Sequence, residues 1–193
     1  MNRLTKFFED AWAYSKEISV TEKNIRFEAM KKIISGESKL YIHADKAKDM
    51  LASIKFAKKF GIKKMVIVGG KESHKISLEL KRNSIPVMLN RLHDLPDNTD
   101  DEVDQIYRLP YLLKKDSVLF CLQLEGDMEA MNSRNLPFIA GTAAAYGLTK
   151  EDALRSVTLD AARILGIDKQ LGSIEEGKLA SLVISEGDLL DMK

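Results

Sequence analysis

The sequence predicts an α/β protein built from four consecutive strand–helix units. Four short apolar runs carry that prediction: Leu40-Tyr41-Ile42-His43, Met65-Val66-Ile67-Val68, Ile85-Pro86-Val87-Met88-Leu89 and Val118-Leu119-Phe120-Cys121-Leu122. Amphipathic stretches separate them, so the units repeat at roughly 25 to 35 residues, as parallel strands with right-handed crossovers require. The runs are continuous rather than alternating, the pattern of strands covered on both faces.

Two helices precede the first run. Leu4, Phe7, Phe8, Ala11 and Trp12 share one helical face, and Ile25, Phe27, Met30, Ile33 and Ile34 fill a second helix that Thr21 opens and Gly36 stops. Their aromatic residues read as core or interface. The first apolar run leads into a helix over residues 45–60, with Asp45 as its N-cap. The second leads into a helix over 73–82. After the third come an acidic loop and a helix ending near Lys115. After the fourth come Ala-rich helices. Thr149 caps the helix that follows Gly147, with Asp152 completing a variant of the capping box. Gly172 to Lys178 reads as a turn between two short strands, the second over residues 179–185.

At 193 residues with 45% hydrophobic and 31% charged residues, the chain has the makings of one domain with a substantial core. The formal net charge of +1 gives no field that would favour nucleic acid or an anionic membrane, and neither is expected as a partner. No apolar run approaches the roughly 20 residues of a membrane span. The N-terminus lacks the apolar core of a signal peptide. A soluble, cytoplasmic protein is the default expectation, and a signal peptide upstream of Met1 in a longer parent is compatible with it. The single cysteine, Cys121, sits in an apolar run and reads as a buried thiol. Two architectures suit the alternation, an open doubly wound sheet or part of a (β/α)8 barrel, and both gather ligands at the C-terminal ends of the strands.

Those ends carry the candidate site. His43 ends the first strand. Gly69-Gly70-Lys71 follows the second, and could hold a phosphate or simply make a tight turn, since neither dinucleotide nor P-loop spacing is present. Asn90, Arg91 and His93 follow the third, ahead of the acids Asp97, Asp100, Asp101, Glu102 and Asp104, which lack the glycine and glutamate positions of a calcium loop. Gln123-Leu124-Glu125-Gly126 follows the fourth. A histidine and a carboxylate meeting from different strands could hold a divalent metal or share a proton. His74, beside Lys75, reads as surface.

The segment GLTKEDALRSVTLDAARILGIDKQLGSIEEGKLASLVISEGD resembles the C-terminal signature of the metal-dependent amidohydrolase superfamily, nearest its imidazolonepropionase-like members. YIHADKAKDMLASIKFAKKFGIKKMVIVGG, NRLHDLPDNTDD and RNLPFIAGTAAAYGL extend the resemblance over residues 38–190. It implies the C-terminal part of a TIM-like metallo-dependent hydrolase barrel: a helical lead-in (1–37), a partial barrel (38–167) and the start of a small β-sandwich (168–193). On this resemblance His43 matches the fifth-strand metal ligand, the sixth-strand ligand is replaced by Gly69, and Glu125 stands in the place of the eighth-strand aspartate. The His-x-His pair and bridging residue of earlier strands have no counterpart.

The expected function is therefore that of an amidohydrolase-like fragment. Its parent would hydrolyse small non-peptide, cyclic amides with a water activated by one divalent metal, zinc by preference. The fragment alone is expected to be inactive. His43 and Glu125 are the expected metal ligands, Glu125 and His93 the expected catalytic residues, and Asn90 and Arg91 the expected substrate contacts. The alternatives are a non-catalytic binding or scaffold protein that has lost its metal site, and a nucleotide-binding domain using Gly69-Gly70-Lys71. A partial barrel leaves sheet edges and an apolar face uncovered, so a homo-oligomer through those edges is expected.

Overall fold

The computed structural model describes residues 2–17, 22–90, 92–97, 100–126 and 129–191. Its centre is a four-stranded parallel sheet, β1 (Leu40–Ala44), β2 (Met65–Gly69), β3 (Val87–Asn90) and β4 (Phe120–Gln123), in the order β1-β2-β3-β4. Between the strands lie α3 (Ala47–Lys59), a 3-10 turn (Ser73–Ile76) running into α4 (Ser77–Arg82), and α5 (Gln105–Lys115). After β4 come α6 (Glu129–Asn132), α7 (Leu136–Ala145), α8 (Lys150–Ser156) and α9 (Leu159–Leu165). Each strand lies beside its predecessor, so the winding never reverses. A doubly wound sheet needs such a reversal, and the barrel alternative is the one the topology fits.

Alternation along each strand sorts the side chains onto two faces. Met65 and Ile67, Val87 and Leu89, and Phe120 and Leu122 face the helical layer, where they pack with Met50 and Ile54 of α3, Leu80 of α4, Leu109 and Leu113 of α5, and Ile139 and Ala143 of α7. These apolar positions recur at helical spacing, which is why the intervening stretches fold as helices onto the sheet. The opposite face carries Val66, Met88 and Cys121, covered by Ala161 and Ile164 of α9. Lys39, just before β1, holds α9 there by donating to the carbonyl oxygens of Arg163 and Ile164. A cation is favourable at a helix C-terminus. Burial, and secondarily the charge of Lys64, lowers the Lys39 pKa.

The lead-in folds as α1 (Asn2–Ser15) and α2 (Ile25–Ser35). Phe8 meets Phe56 and Phe60 of α3 at ring separations of 4.8 and 5.3 Å, and Phe7 meets Phe27 at 5.6 Å. Phe7, Phe8 and Phe27 are packing, as expected. Trp12 is exposed. Thr21 lies outside the described residues; the N-cap of α2 is Asn24, whose side chain accepts from the amides of Arg26 and Phe27.

Three sequence expectations require correction. Asp45 does not cap α3: the N-cap residue is Lys46, without a side-chain bond, because Asp45 is drawn toward the Lys71 amide. Asp152 does not reach back to its capping threonine. Thr149 accepts the Asp152 amide, while the Asp152 carboxylate pairs with Lys114 at 2.5 Å. Finally, no strand forms among the described residues of 168–191, where Leu179, Leu182, Val183 and Ile184 are exposed. A single strand needs a ladder partner and a covered face, and this run has neither here. The segment is anchored instead by Leu190, buried against Gly141, and by Lys150 paired with Asp188 and Asp191.

Candidate active site

Period-two alternation places His43, Val68, Asn90 and Gln123 on the face opposite the helical layer, with register pairing His43 to Val68 and Asn90 to Gln123. Glu125, two residues beyond Gln123, continues the same face. All lie at the C-terminal ends of their strands, where the loops of a parallel sheet leave room for a ligand.

The structure brings the predicted pair together. His43 Nδ1 lies 2.8 Å from Glu125 Oε1. The other carboxylate oxygen, Oε2, takes the Gln123 amide at 3.3 Å and a long contact of 3.5 Å from the Asn90 amide. Asn90 Oδ1 is buried without a hydrogen-bond partner. Side-chain exposure is 65% for His43 and 35% for Glu125, so the pair sits at the rim of an open cavity. That cavity measures about 500 Å³ and is lined by His43, Asp45, Asp49, Gly69, Asn90 and Glu125 among others.

The remaining predicted residues divide. Asn90 lines the cavity, as a substrate contact would. Arg91 lies outside the described residues. His93 turns elsewhere: its Nε2 meets Thr142 Oγ1 at 2.7 Å and its ring stands edge-on to Tyr107. His93 thus contacts α7 and α5 and is absent from the lining of the His43–Glu125 cavity. Gln123, Asp45 and Asp49 were not among the predicted site residues. Gln123 was within reach of period-two reasoning from Glu125.

Gly69 and Gly70 are accounted for by packing. At Gly69, with φ +100°, a Cβ would stand 2.6 Å from Asp45 Oδ1; at Gly70 it would stand 2.6 Å from Val87 Cγ1. Lys71 is taken up by Asp94 at 2.8 Å and Asp97 at 3.1 Å. Burial pulls the Lys71 pKa down, but the two carboxylates outweigh it and leave it raised. His74 is half-buried rather than a surface residue, with Nε2 3.2 Å from the Gln105 amide nitrogen. Burial, then Lys75, lowers its pKa.

The protein family follows from the whole chain. The amidohydrolase family model matches residues 9–192. The chain belongs to the amidohydrolase family. An imidazolonepropionase from Erwinia tasmaniensis is 53% identical over 38 residues, which are 20% of this chain and 9% of that protein. An amidohydrolase from Thermotoga maritima superposes with a TM-score of 0.86 at 29% identity, over 98% of this chain and 51% of that one. A prolidase solved with N-methylphosphonate-L-proline shares the fold, with a TM-score of 0.58 at 20% identity, over 90% of this chain and 45% of its own. The chain thus spans about half the length of the solved amidohydrolases it matches, and its four βα units form part of a TIM-like amidohydrolase barrel.

Family members are generally metal-dependent. Tested against that, the donors are incomplete. Catalytic zinc takes three protein ligands, and no group of three His, Cys, Asp or Glu side chains suited to a metal occurs among the described residues. His43 and Glu125 are two donors and are bonded to each other. The position where the resemblance places a further ligand is Gly69, where a side chain would meet a φ of +100° and displace the Asp45 carboxylate. These residues do not by themselves fit a metal centre.

Proposed function

We propose that this chain forms one side of the active-site mouth of a hydrolase acting on carbon–nitrogen bonds of small non-peptide, cyclic amides. The observation that carries the reading is the meeting of His43 and Glu125, from opposite ends of the sheet, at the C-terminal rim of an amidohydrolase-family barrel segment. In this reading the Glu125 carboxylate handles a proton at the attacking water, and Asn90, with its unpartnered Oδ1, offers an acceptor to an amide N–H of the substrate. The imidazolonepropionase likeness favours a cyclic substrate. Residues 1–193 alone are expected to be inactive. The further expectation of one divalent metal, zinc by preference, rests on the family's general habit, and no step here runs through it.

The test is turnover of hydantoins and lactams by the full-length polypeptide that contains these residues, with Glu125→Ala beside it. Removing a general base costs about 10²- to 10⁴-fold, so a variant as fast as wild type, or a wild type that turns over none of these amides, would sink the reading.

The non-catalytic alternative has one observation in its favour, a glycine in the left-handed region at position 69, where the resemblance expects a ligand. Saturable binding of a cyclic amide with no product formed would decide for it. We further propose that the chain self-associates through its uncovered sheet edges, with a second copy of itself as partner.

A further inference from the structure

We infer that Gln123 is a positioning residue for Glu125: its carboxamide holds one oxygen of the carboxylate, so that the other is offered to the mouth of the sheet in one fixed direction. The inference rests on the hydrolase reading for the reaction that the held carboxylate serves, and on the geometry alone for the hold itself.

Strand register and side-chain length carry it. Asn90 and Gln123 are partners across β3 and β4, so their side chains stand next to each other on the face opposite the helical layer. Glu125 follows two residues on, past the end of β4, where no ladder fixes the backbone. A long, half-exposed carboxylate on such a stretch samples several rotamers unless something holds it. Gln123 does so: its Nε2 donates to Glu125 Oε2 at 3.3 Å, and the Asn90 amide approaches the same oxygen at 3.5 Å. The orientation of the Gln123 carboxamide follows, since turning it over would set a carbonyl oxygen against a carboxylate oxygen.

The two carboxylate oxygens are thereby given different work. Oε2 is taken by donors from its own strand and from β3; Oε1 is the one that reaches the end of β1, 2.8 Å from His43 Nδ1. Glu125 lines the cavity together with Asn90, whereas Gln123 is not among the lining residues. Gln123 therefore acts through Glu125 and touches no ligand, which separates it from Asn90, placed to do both. The hold serves any task the carboxylate has in the reaction, because a reacting group displaced by about 1 Å loses on the order of 100-fold in rate.

The experiment uses the full-length polypeptide that contains these residues, with ¹⁵N in its side-chain amides. The Gln123 amide pair, assigned through its backbone, is expected to shift and to exchange its protons faster in Glu125→Ala. A pair that is the same in both proteins overturns the hold. Kinetics on whichever hydantoin or lactam is turned over supply the second readout, with Gln123→Leu keeping the bulk of the side chain and removing its donors. That variant is expected to lower kcat about 10- to 100-fold with KM unchanged, and to lose nothing further in the Glu125→Ala background. A loss equal in both backgrounds means that Gln123 serves the fold and overturns the proposal, as does a Gln123→Leu protein as fast as wild type. Should Gln123→Leu not fold, the amide comparison between wild type and Glu125→Ala decides; should Glu125→Ala not fold, the split between kcat and KM in Gln123→Leu decides. The two readings fail separately. An amide pair that answers to Glu125→Ala with no amide turnover removes the hydrolase and keeps the hold; turnover untouched by Gln123→Leu does the opposite.

Discussion

Glu72 accepts the Ala47 amide at 2.8 Å, so the loop after β2 caps the helix that begins after β1. The first amides of a helix have no internal partner, and Lys46 offers no side-chain oxygen. The same carboxylate pairs with Lys75 at 2.7 Å. Glu72→Ala therefore removes a cap and should cost about 0.5–2 kcal/mol, the range for losing an N-cap. Chemical denaturation with an unchanged m-value would read it; a loss within error of zero would mean water replaces the carboxylate.

The same residue predicts a pH dependence. Its pKa is lowered, first by the Lys75 hydrogen bond and then by the Ala47 amide. A depressed carboxylate contributes stability that is present above its unfolded value, near 4.3, and is lost as pH falls through the folded value. Wild type should lose stability on acidification below about pH 4.3 faster than Glu72→Gln. Parallel acid limbs for the two proteins would show that the shift is not coupled to folding.

Backbone conformation separates two glycines that look alike in sequence. Gly69 has φ +100° and a Cβ there would collide with Asp45; Gly61 has φ +65° with nothing within 4 Å. Both substitutions to alanine pay for a left-handed conformation, but only Gly69→Ala must also move the Asp45 carboxylate. Strained backbone positions cost on the order of 1–3 kcal/mol. Gly69→Ala should fall at or above the top of that range, and Gly61→Ala at or below its bottom, in thermal melts of the two variants. Equal losses would refute the collision.

Much of this was readable from sequence, and the failures share a cause. The four strands came from local apolar runs, and a parallel register then placed His43 and Glu125 on one face. Local capping rules worked where the partner was local, at Thr149, and failed at Asp45 and at the Asp152 carboxylate, whose partners come from other units. His93 was placed with the site because it follows a strand, but a loop side chain goes where its loop folds, here to Thr142. The strand expected over 179–185 needed partners that no local pattern can supply.

The proposed self-association has a candidate surface. Leu182, Val183 and Ile184 form an uninterrupted apolar run, with Ile184 96% exposed, and β1 pairs only with β2 among the described residues. Exposed apolar runs and open sheet edges each favour association. Light scattering at micromolar concentration should give a mass above 21.7 kDa. Ile184→Lys should move it toward that monomer value without changing the melting temperature. A wild-type monomer at the same concentration would remove the expectation.

Cys121 gives the alkaline counterpart to Glu72. Its thiol is buried on β4 beneath α9, and burial first, with the Asp160 charge second, raises its pKa from 9.0 to about 12. An unfolded thiol loses its proton near pH 8.5, while the folded one keeps it. The unfolded state therefore binds fewer protons between about pH 8.5 and the folded value, and stability must fall with rising pH across that window. Below it the contribution is complete. Cys121→Ala should flatten this alkaline decline while costing some packing at neutral pH, because it removes the titrating group but leaves a small void against Val66 and Ile164. Thiol reagents should ignore the native chain and react fully in denaturant. Rapid modification of the native protein at pH 8 would show that α9 opens away from the sheet, and would place the loss of the Lys39 contacts among the first steps of unfolding.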